Sequence, residues 1–94
     1  MKHLITLENW STSSLLDILD LADRIKAKPE DYRNAMYRKT LMMIFEKPSL
    51  RTRVSFETGA TQMGGHAIFY DLATSPLSSG KENVADLIRV VSRY

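Results

Sequence analysis

The chain has 94 residues, of which 44% are hydrophobic and 26% charged, with 4 Gly and 3 Pro. This composition is typical of globular proteins, and it excludes collagen-like, low-complexity and intrinsically disordered chains. A chain of this length forms one modest core, so we expect one domain or part of one. The net charge is only +2, and the densest basic stretch, residues 24–39, is interleaved with acidic residues, so we expect no nucleic-acid partner.

The chain contains no cysteine, which excludes disulfides, thiol catalysis and cysteine-based zinc sites. No apolar run reaches the length of a signal peptide, nor the roughly 18 residues that a membrane span needs. We therefore expect a cytoplasmic protein that does not bind membranes.

The first predicted element is a helix over residues 11–25, with Ser/Thr caps at its start. Its apolar residues recur at helical spacing, and Pro29 follows the last of them. These apolar residues are Leu15, Ile18, Leu19, Ala22 and Ile25. Residues 30–37 are polar and rich in turn formers. Residues 40–45 are then a continuous apolar run, typical of a central parallel strand that is covered by helices on both faces.

A second helix is predicted after this strand. Pro48 prevents the strand from continuing, and Ser49 is placed to cap a helix that begins near Arg51. Phe56, Ala60 and Met63 share one face, so we expect them to pack on the sheet together with the apolar face of the first helix. The glycine pair at positions 64 and 65 ends the second helix.

The remaining elements complete a strand–helix–strand unit. Residues 67–70 form a second short apolar run, residues 71–80 a loop, and the last segment an amphipathic helix with Val84, Leu87, Ile88 and Val91 on one face. This order predicts an α/β fold, a partial parallel sheet with flanking helices. Two strands are too few for a complete doubly wound sheet. We expect the front part of a larger domain, the alternative being a small complete α+β domain.

The candidate chemistry lies at the start of the second helix. Exposed N–H groups and the positive end of the helix dipole favour an anion there, and Ser49, Arg51 and Thr52 add hydroxyls and a guanidinium. Arg53 has Glu57 four residues on and is expected to pair with it. Arg51 has no such local partner. The segment predicts a phosphate-binding turn, although it matches neither the Walker nor the dinucleotide fingerprint.

Residues 45–57, FEKPSLRTRVSFE, followed by the glycine pair, closely resemble the carbamoyl-phosphate signature of the aspartate/ornithine carbamoyltransferase family. The phrase is similar to the ornithine branch in particular, and weaker similarity covers nearly the whole chain. The resemblance implies that residues 1–94 are the N-terminal part of the carbamoyl-phosphate-binding domain. The family's His-Pro-Thr-Gln segment, and its ornithine-binding domain with a His-Cys-Leu-Pro segment, are absent from the chain.

The resemblance also implies a reaction: carbamoyl transfer from carbamoyl phosphate to L-ornithine, giving citrulline and phosphate in arginine biosynthesis or catabolism. Four residues would bind carbamoyl phosphate: Ser49, Leu50, Arg51 and Thr52. The family often has Thr at the position of Leu50, and because leucine has no hydroxyl, Leu50 would bind through its backbone N–H only. Thr52 and Arg51 would be catalytic, Thr52 near the carbonyl oxygen and Arg51 neutralising the departing phosphate. The family uses no metal or organic cofactor.

In the family, the loop that corresponds to residues 71–80 reaches the active site of a neighbouring subunit in a trimer. The ornithine branch commonly carries Gln there, whereas this loop reads ATSPLSSGK, so Ser79 or Lys81 is expected to make the contact. His3 and His66 are expected to be structural or exposed. The 94-residue chain alone should bind carbamoyl phosphate weakly and not turn over.

Two sets of alternatives stay open. The acceptor could be aspartate or acetylornithine, because the absent second domain mostly chooses it. The chain could instead be a non-catalytic anion-binding module; a nucleic-acid-binding domain is disfavoured, since aromatic residues are not interleaved with the basic ones.

Overall fold

The computed structural model describes residues 3–74 and 83–94. These residues form three helices and two strands, with short 3₁₀ turns at Pro29–Tyr32 and Leu72–Thr74. In chain order they are α1 (Thr12–Ala27), β1 (Thr40–Phe45), α2 (Leu50–Gln62), β2 (His66–Asp71) and α3 (Val84–Val91). The chain divides into two compact units, Met1–Arg33 and Asn34–Tyr94. No described helix has the length and apolar character of a membrane span.

The first unit contains α1, whose ends follow the sequence prediction. Ser11 caps the helix, its Oγ accepting a hydrogen bond from the backbone N–H of Ser14 at 3.1 Å. At the other end, Pro29 begins a 3₁₀ turn, since proline offers no N–H to continue the α-helical ladder. No residue of α1 is buried. That α1 packs against the sheet therefore stays a prediction.

The second unit is built on a parallel pair of strands. β1 and β2 pair in register from Thr40 opposite His66 to Phe45 opposite Asp71, and α2 connects them, as the strand–helix–strand prediction requires. Both strands therefore end at the same edge of the sheet, and α2 begins beside that edge. The described sheet contains only these two strands, so a central position for β1 stays a prediction.

The core of this unit is small. Met43 in β1 is 5% exposed and Ala60 in α2 is 3% exposed, while Met42, Ile44 and Phe45 are half-buried. The prediction for Ala60 is confirmed, and Met63 is half-buried. The prediction for Phe56 is wrong, since its side chain is 53% exposed. α2 packs mainly against β2, and this placement leaves the flank of the helix that carries Phe56 uncovered by the described residues.

The glycine pair ends α2 in a Schellman motif. Gly64 has a φ of 80°, its N–H donates to Thr61 O at 3.1 Å, and the N–H of Gly65 donates to Ala60 O at 2.7 Å. Met36 N–H donates to Met63 O at 2.8 Å, which ties the segment before β1 to the end of α2. This close approach leaves little room for a side chain at Gly65, whose Cβ would lie 3.0 Å from Met36 Cβ and 3.2 Å from Lys39 O.

We expect Gly65→Ala to lower the free energy of unfolding by about 1–3 kcal/mol, because the added methyl overpacks the contact with Met36. Gly59→Ala is the matched control: no atom lies within 4 Å of a Cβ there, so the better helix propensity of alanine should raise stability by about 1 kcal/mol. Urea denaturation followed by circular dichroism measures both. Equal destabilisation by the two variants would contradict the packing at Gly65.

Candidate functional site

The candidate site is a small cavity where the start of α2 meets the carboxyl end of β2. Its volume is ≈ 300 Å³. The lining residues come from the loop after β1, the first turn of α2 and the end of β2: Pro48, Ser49, Leu50, Arg53, Phe69 and Asp71. Ligands of parallel α/β sheets characteristically bind at this edge, outside the carboxyl ends of the strands.

The first turn of α2 offers backbone donors to this cavity. Arg53 N–H makes the first helical hydrogen bond, to Ser49 O at 2.9 Å, so the N–H groups of residues 50–52 have no acceptor within the helix. Ser49 occupies the N-cap position as predicted, but its side chain makes no capping hydrogen bond. Its Oγ donates instead to Thr52 Oγ1 at 2.9 Å. In the described part of the chain, the amides of this turn are therefore left uncapped by side chains.

The structure brings two of the predicted phosphate ligands into contact and sets the other two beside them. Ser49 and Thr52 are joined by their hydroxyl–hydroxyl bond. Leu50 is 76% exposed and borders both the small cavity and an adjoining open groove of ≈ 560 Å³. Arg51 lines that groove rather than the small cavity, and no carboxylate among residues 3–74 and 83–94 pairs with it.

Arg53 is held by two partners. Its Nε lies 2.7 Å from Glu57 Oε1, with the two side chains 44% and 40% exposed, which confirms the predicted ion pair. Its guanidinium carbon also lies 3.9 Å from the centre of the Phe69 ring. The phenyl group of Phe69 in turn meets Phe45 edge to face, with ring centres 5.5 Å apart. The sequence indicated the first contact by its four-residue spacing, but it carried no local signal for the aromatic contacts.

Sequence reasoning also missed Asp71, which shares the small cavity with Ser49. Its carboxylate accepts hydrogen bonds from Ala73 N–H at 2.9 Å and from the Thr74 hydroxyl at 3.3 Å, so it caps the 3₁₀ turn after β2. A carboxylate that ends a strand at the ligand-binding edge was the signal that could have singled it out.

The other candidate residues lie away from this cavity or outside the described residues. His3 is exposed, and His66 is exposed at the start of β2, the strand end remote from Asp71, as expected for both. Ser79 and Lys81 lie outside the described residues, so their cross-subunit contact stays a prediction. Within residues 3–74 and 83–94, no group of three or more His, Asp or Glu side chains could hold a metal ion.

Residues 2–94 match the family model described as the carbamoyl-phosphate-binding domain of aspartate/ornithine carbamoyltransferase. The chain therefore belongs to the aspartate/ornithine carbamoyltransferase family. It is 45% identical to a catabolic ornithine carbamoyltransferase of Halobacterium salinarum, over the whole of this chain and 32% of that protein. The chain spans about a third of the length of the curated relatives it matches.

Solved structures agree with this assignment. The anabolic ornithine carbamoyltransferase of Campylobacter jejuni is 41% identical with a TM-score of 0.84, over 97% of this chain and 29% of that one. The aspartate transcarbamoylase catalytic subunit of M. jannaschii is 34% identical, also with a TM-score of 0.84, over 100% of this chain and 31% of that one. Structures of N-acetyl-L-ornithine transcarbamylase match as well. The fold is thus the α/β fold that the sequence predicted, and the chain is similar to enzymes named for three different acceptors.

The geometry of Arg53 yields a prediction about stability. Glu57→Gln should lower the free energy of unfolding by only about 0.3–0.5 kcal/mol, because the pair is widely exposed and screened by water. Chemical denaturation at low and high salt measures this cost, and Asp86→Asn, which breaks the exposed pair of Asp86 with Arg89 on α3, is the control. A loss well above that of the control would show that the ion pair, rather than the aromatic contact, holds Arg53.

Proposed function

We propose that the protein to which this chain belongs transfers the carbamoyl group of carbamoyl phosphate to the δ-amino group of L-ornithine, giving citrulline and phosphate. The observation that carries the proposal is the uncapped first turn of α2, with the Ser49–Thr52 pair and an Arg51 that no described carboxylate pairs with, in a chain of this family. We assign the reaction to arginine metabolism, either biosynthetic or catabolic.

The proposed phosphate ligands are Ser49, Arg51, Thr52 and the backbone N–H of Leu50. Of the two arginines in this turn, Arg53 is committed to Glu57 and Phe69. Arg51 is exposed and pairs with no described carboxylate. Because cations are disfavoured near a helix N-terminus unless an anion neutralises them, Arg51 is the guanidinium with most to gain from a bound phosphate.

The catalytic proposal follows from where charge develops. Attack of the amine on the carbonyl carbon builds negative charge on the carbonyl oxygen, and cleavage then moves charge to the departing phosphate. Donors that are already in place lower the barrier, because they need no reorganisation during the reaction. We assign the carbonyl oxygen to the Thr52 hydroxyl and the departing phosphate to Arg51.

Ornithine is proposed as the acceptor because residues 45–57 resemble the ornithine branch, and because relatives named for ornithine match the whole chain. Aspartate and acetylornithine are the alternatives, since proteins named for those acceptors match too. We further propose that residues 1–94 are the N-terminal part of the carbamoyl-phosphate domain, and that a second domain outside this chain binds the acceptor.

The rest of the proposal concerns the assembled protein. We propose a cytoplasmic enzyme that works as a homotrimer or a multiple of trimers and uses no metal or organic cofactor. Ser79 or Lys81 would reach a neighbouring subunit's site. The 94-residue chain alone would be inactive, because in our proposal a second domain outside this chain binds the acceptor.

Arg51→Ala in the full-length protein should lower kcat for citrulline formation on the order of 100-fold, the usual cost of removing one donor from a developing anion. Arg24→Ala is the matched control, because Arg24 is an exposed arginine paired with Asp20 on α1 and should leave kcat unchanged. Colorimetric citrulline assays with carbamoyl phosphate and ornithine measure both variants. Full activity of Arg51→Ala would contradict the assigned role.

The acceptor is tested by giving the full-length protein carbamoyl phosphate with ornithine, aspartate or N-acetyl-L-ornithine in turn. We expect kcat/KM for ornithine to exceed the others at least about 100-fold, since a site built for one polar acceptor leaves groups unpaired with another. Phosphate release measures all three reactions. A preference for aspartate or N-acetyl-L-ornithine would contradict the proposed acceptor, while carbamoyl transfer as the reaction class would stand. Phosphate binding without transfer to any acceptor would indicate the non-catalytic module.

A further inference from the structure

A series of side-chain contacts joins β1 and β2 to the first turn of α2. The guanidinium of Arg53 lies over the Phe69 ring at 3.9 Å, and the Phe69 ring meets Phe45 in an edge-to-face contact with an interplanar angle of 85°. Phe69 stands opposite Met43 in the strand register, and Met43 is buried. We call Arg53, Phe69 and Phe45 the Arg53 cluster.

We propose that Arg53 and Phe69 are positioning residues for the phosphate of the substrate. They hold the first turn of α2 at a set distance from the strand ends, so that its free N–H groups and the Ser49–Thr52 pair keep their places. This inference rests on the proposed function, in which that turn binds the phosphate of carbamoyl phosphate. It gives Arg53 and Phe69 a role in substrate affinity that acts through the placement of the phosphate ligands.

The ion pair with Glu57 does not explain this placement. Glu57 lies on the same helix as Arg53, so their contact stiffens α2 locally but does not connect α2 to the sheet. The Phe69 contact is different, because it crosses from the helix to β2 and so constrains where the helix begins. A planar guanidinium suits this task, since it stacks on a ring face while its edge still bonds a carboxylate.

Two members of the Arg53 cluster also line the cavity itself. Arg53 and Phe69 line the same ≈ 300 Å³ space as Ser49 and Leu50. A smaller or non-planar side chain at either position would let the first turn of α2 shift relative to that wall. Small misplacements of binding groups reduce substrate affinity and rate strongly, because the bound geometry must be close to the reactive one.

The test uses three variants of the full-length protein. Phe69→Leu removes the ring face but keeps an apolar side chain, and Phe69→Tyr restores the ring. Ile68→Ala is the matched control, because Ile68 precedes Phe69 in β2 and its side chain points to the opposite face of the sheet. The measurements are the dissociation constant of inorganic phosphate by calorimetry, KM for carbamoyl phosphate, KM for the acceptor, kcat and Tm.

We expect Phe69→Leu to weaken inorganic phosphate and raise KM for carbamoyl phosphate about fivefold, with KM for the acceptor unchanged. Phe69→Tyr should restore both values to within about twofold of the original protein. Ile68→Ala should lower Tm without changing phosphate affinity. A purely structural role predicts instead that Phe69→Leu behaves like Ile68→Ala, and that result would overturn the proposal.

The two proposals fail in different ways. If the original protein binds inorganic phosphate but transfers no carbamoyl group, the proposed function is wrong, while the calorimetric comparison of Phe69→Leu with Phe69→Tyr still decides the positioning role. If the original protein binds no phosphate, the positioning role is overturned as well.

Discussion

The arrangement of this site depends on the parallel pairing of β1 and β2. Parallel strands need a crossover connection, and here α2 supplies it. The helix must therefore begin at the edge of the sheet where both strands end. This constraint brings Ser49, which begins the helix, and Asp71, which ends β2, to one cavity. An antiparallel pair joined by a tight turn would leave no helix N-terminus at that edge.

The first turn of α2 contains two arginines, and only one of them has partners among the described side chains. Arg53 takes the local carboxylate of Glu57 and the ring of Phe69, and Arg51 is left with no carboxylate partner in the described part of the chain. The helix dipole raises the cost of an unpaired cation at this position. An uncapped first turn beside such a cation is therefore suited to an anionic ligand, and this agrees with the family's carbamoyl-phosphate-binding domain.

The chain spans about a third of the length of the curated relatives it matches, and in our proposal the features described here bind the carbamoyl donor. Enzymes named for ornithine, aspartate and N-acetyl-L-ornithine all match this chain, which is what we expect if they share a phosphate site for a common donor. In our proposal, the donor is held by α2 and its loop, and the acceptor by a second domain.

The sequence by itself determined the features that depend on neighbouring residues. These include the bounds of β1, the Ser/Thr cap of α1, the Gly64–Gly65 helix end, the Arg53–Glu57 pair and the position of the turn that we propose binds phosphate, because propensities, caps and four-residue spacings act within a few positions of the chain. Only the tertiary structure decided which flank of α2 faces β2. That placement exposes Phe56, sets Arg53 on Phe69 and brings Asp71 to Ser49, because it arises from packing between elements that are distant in sequence.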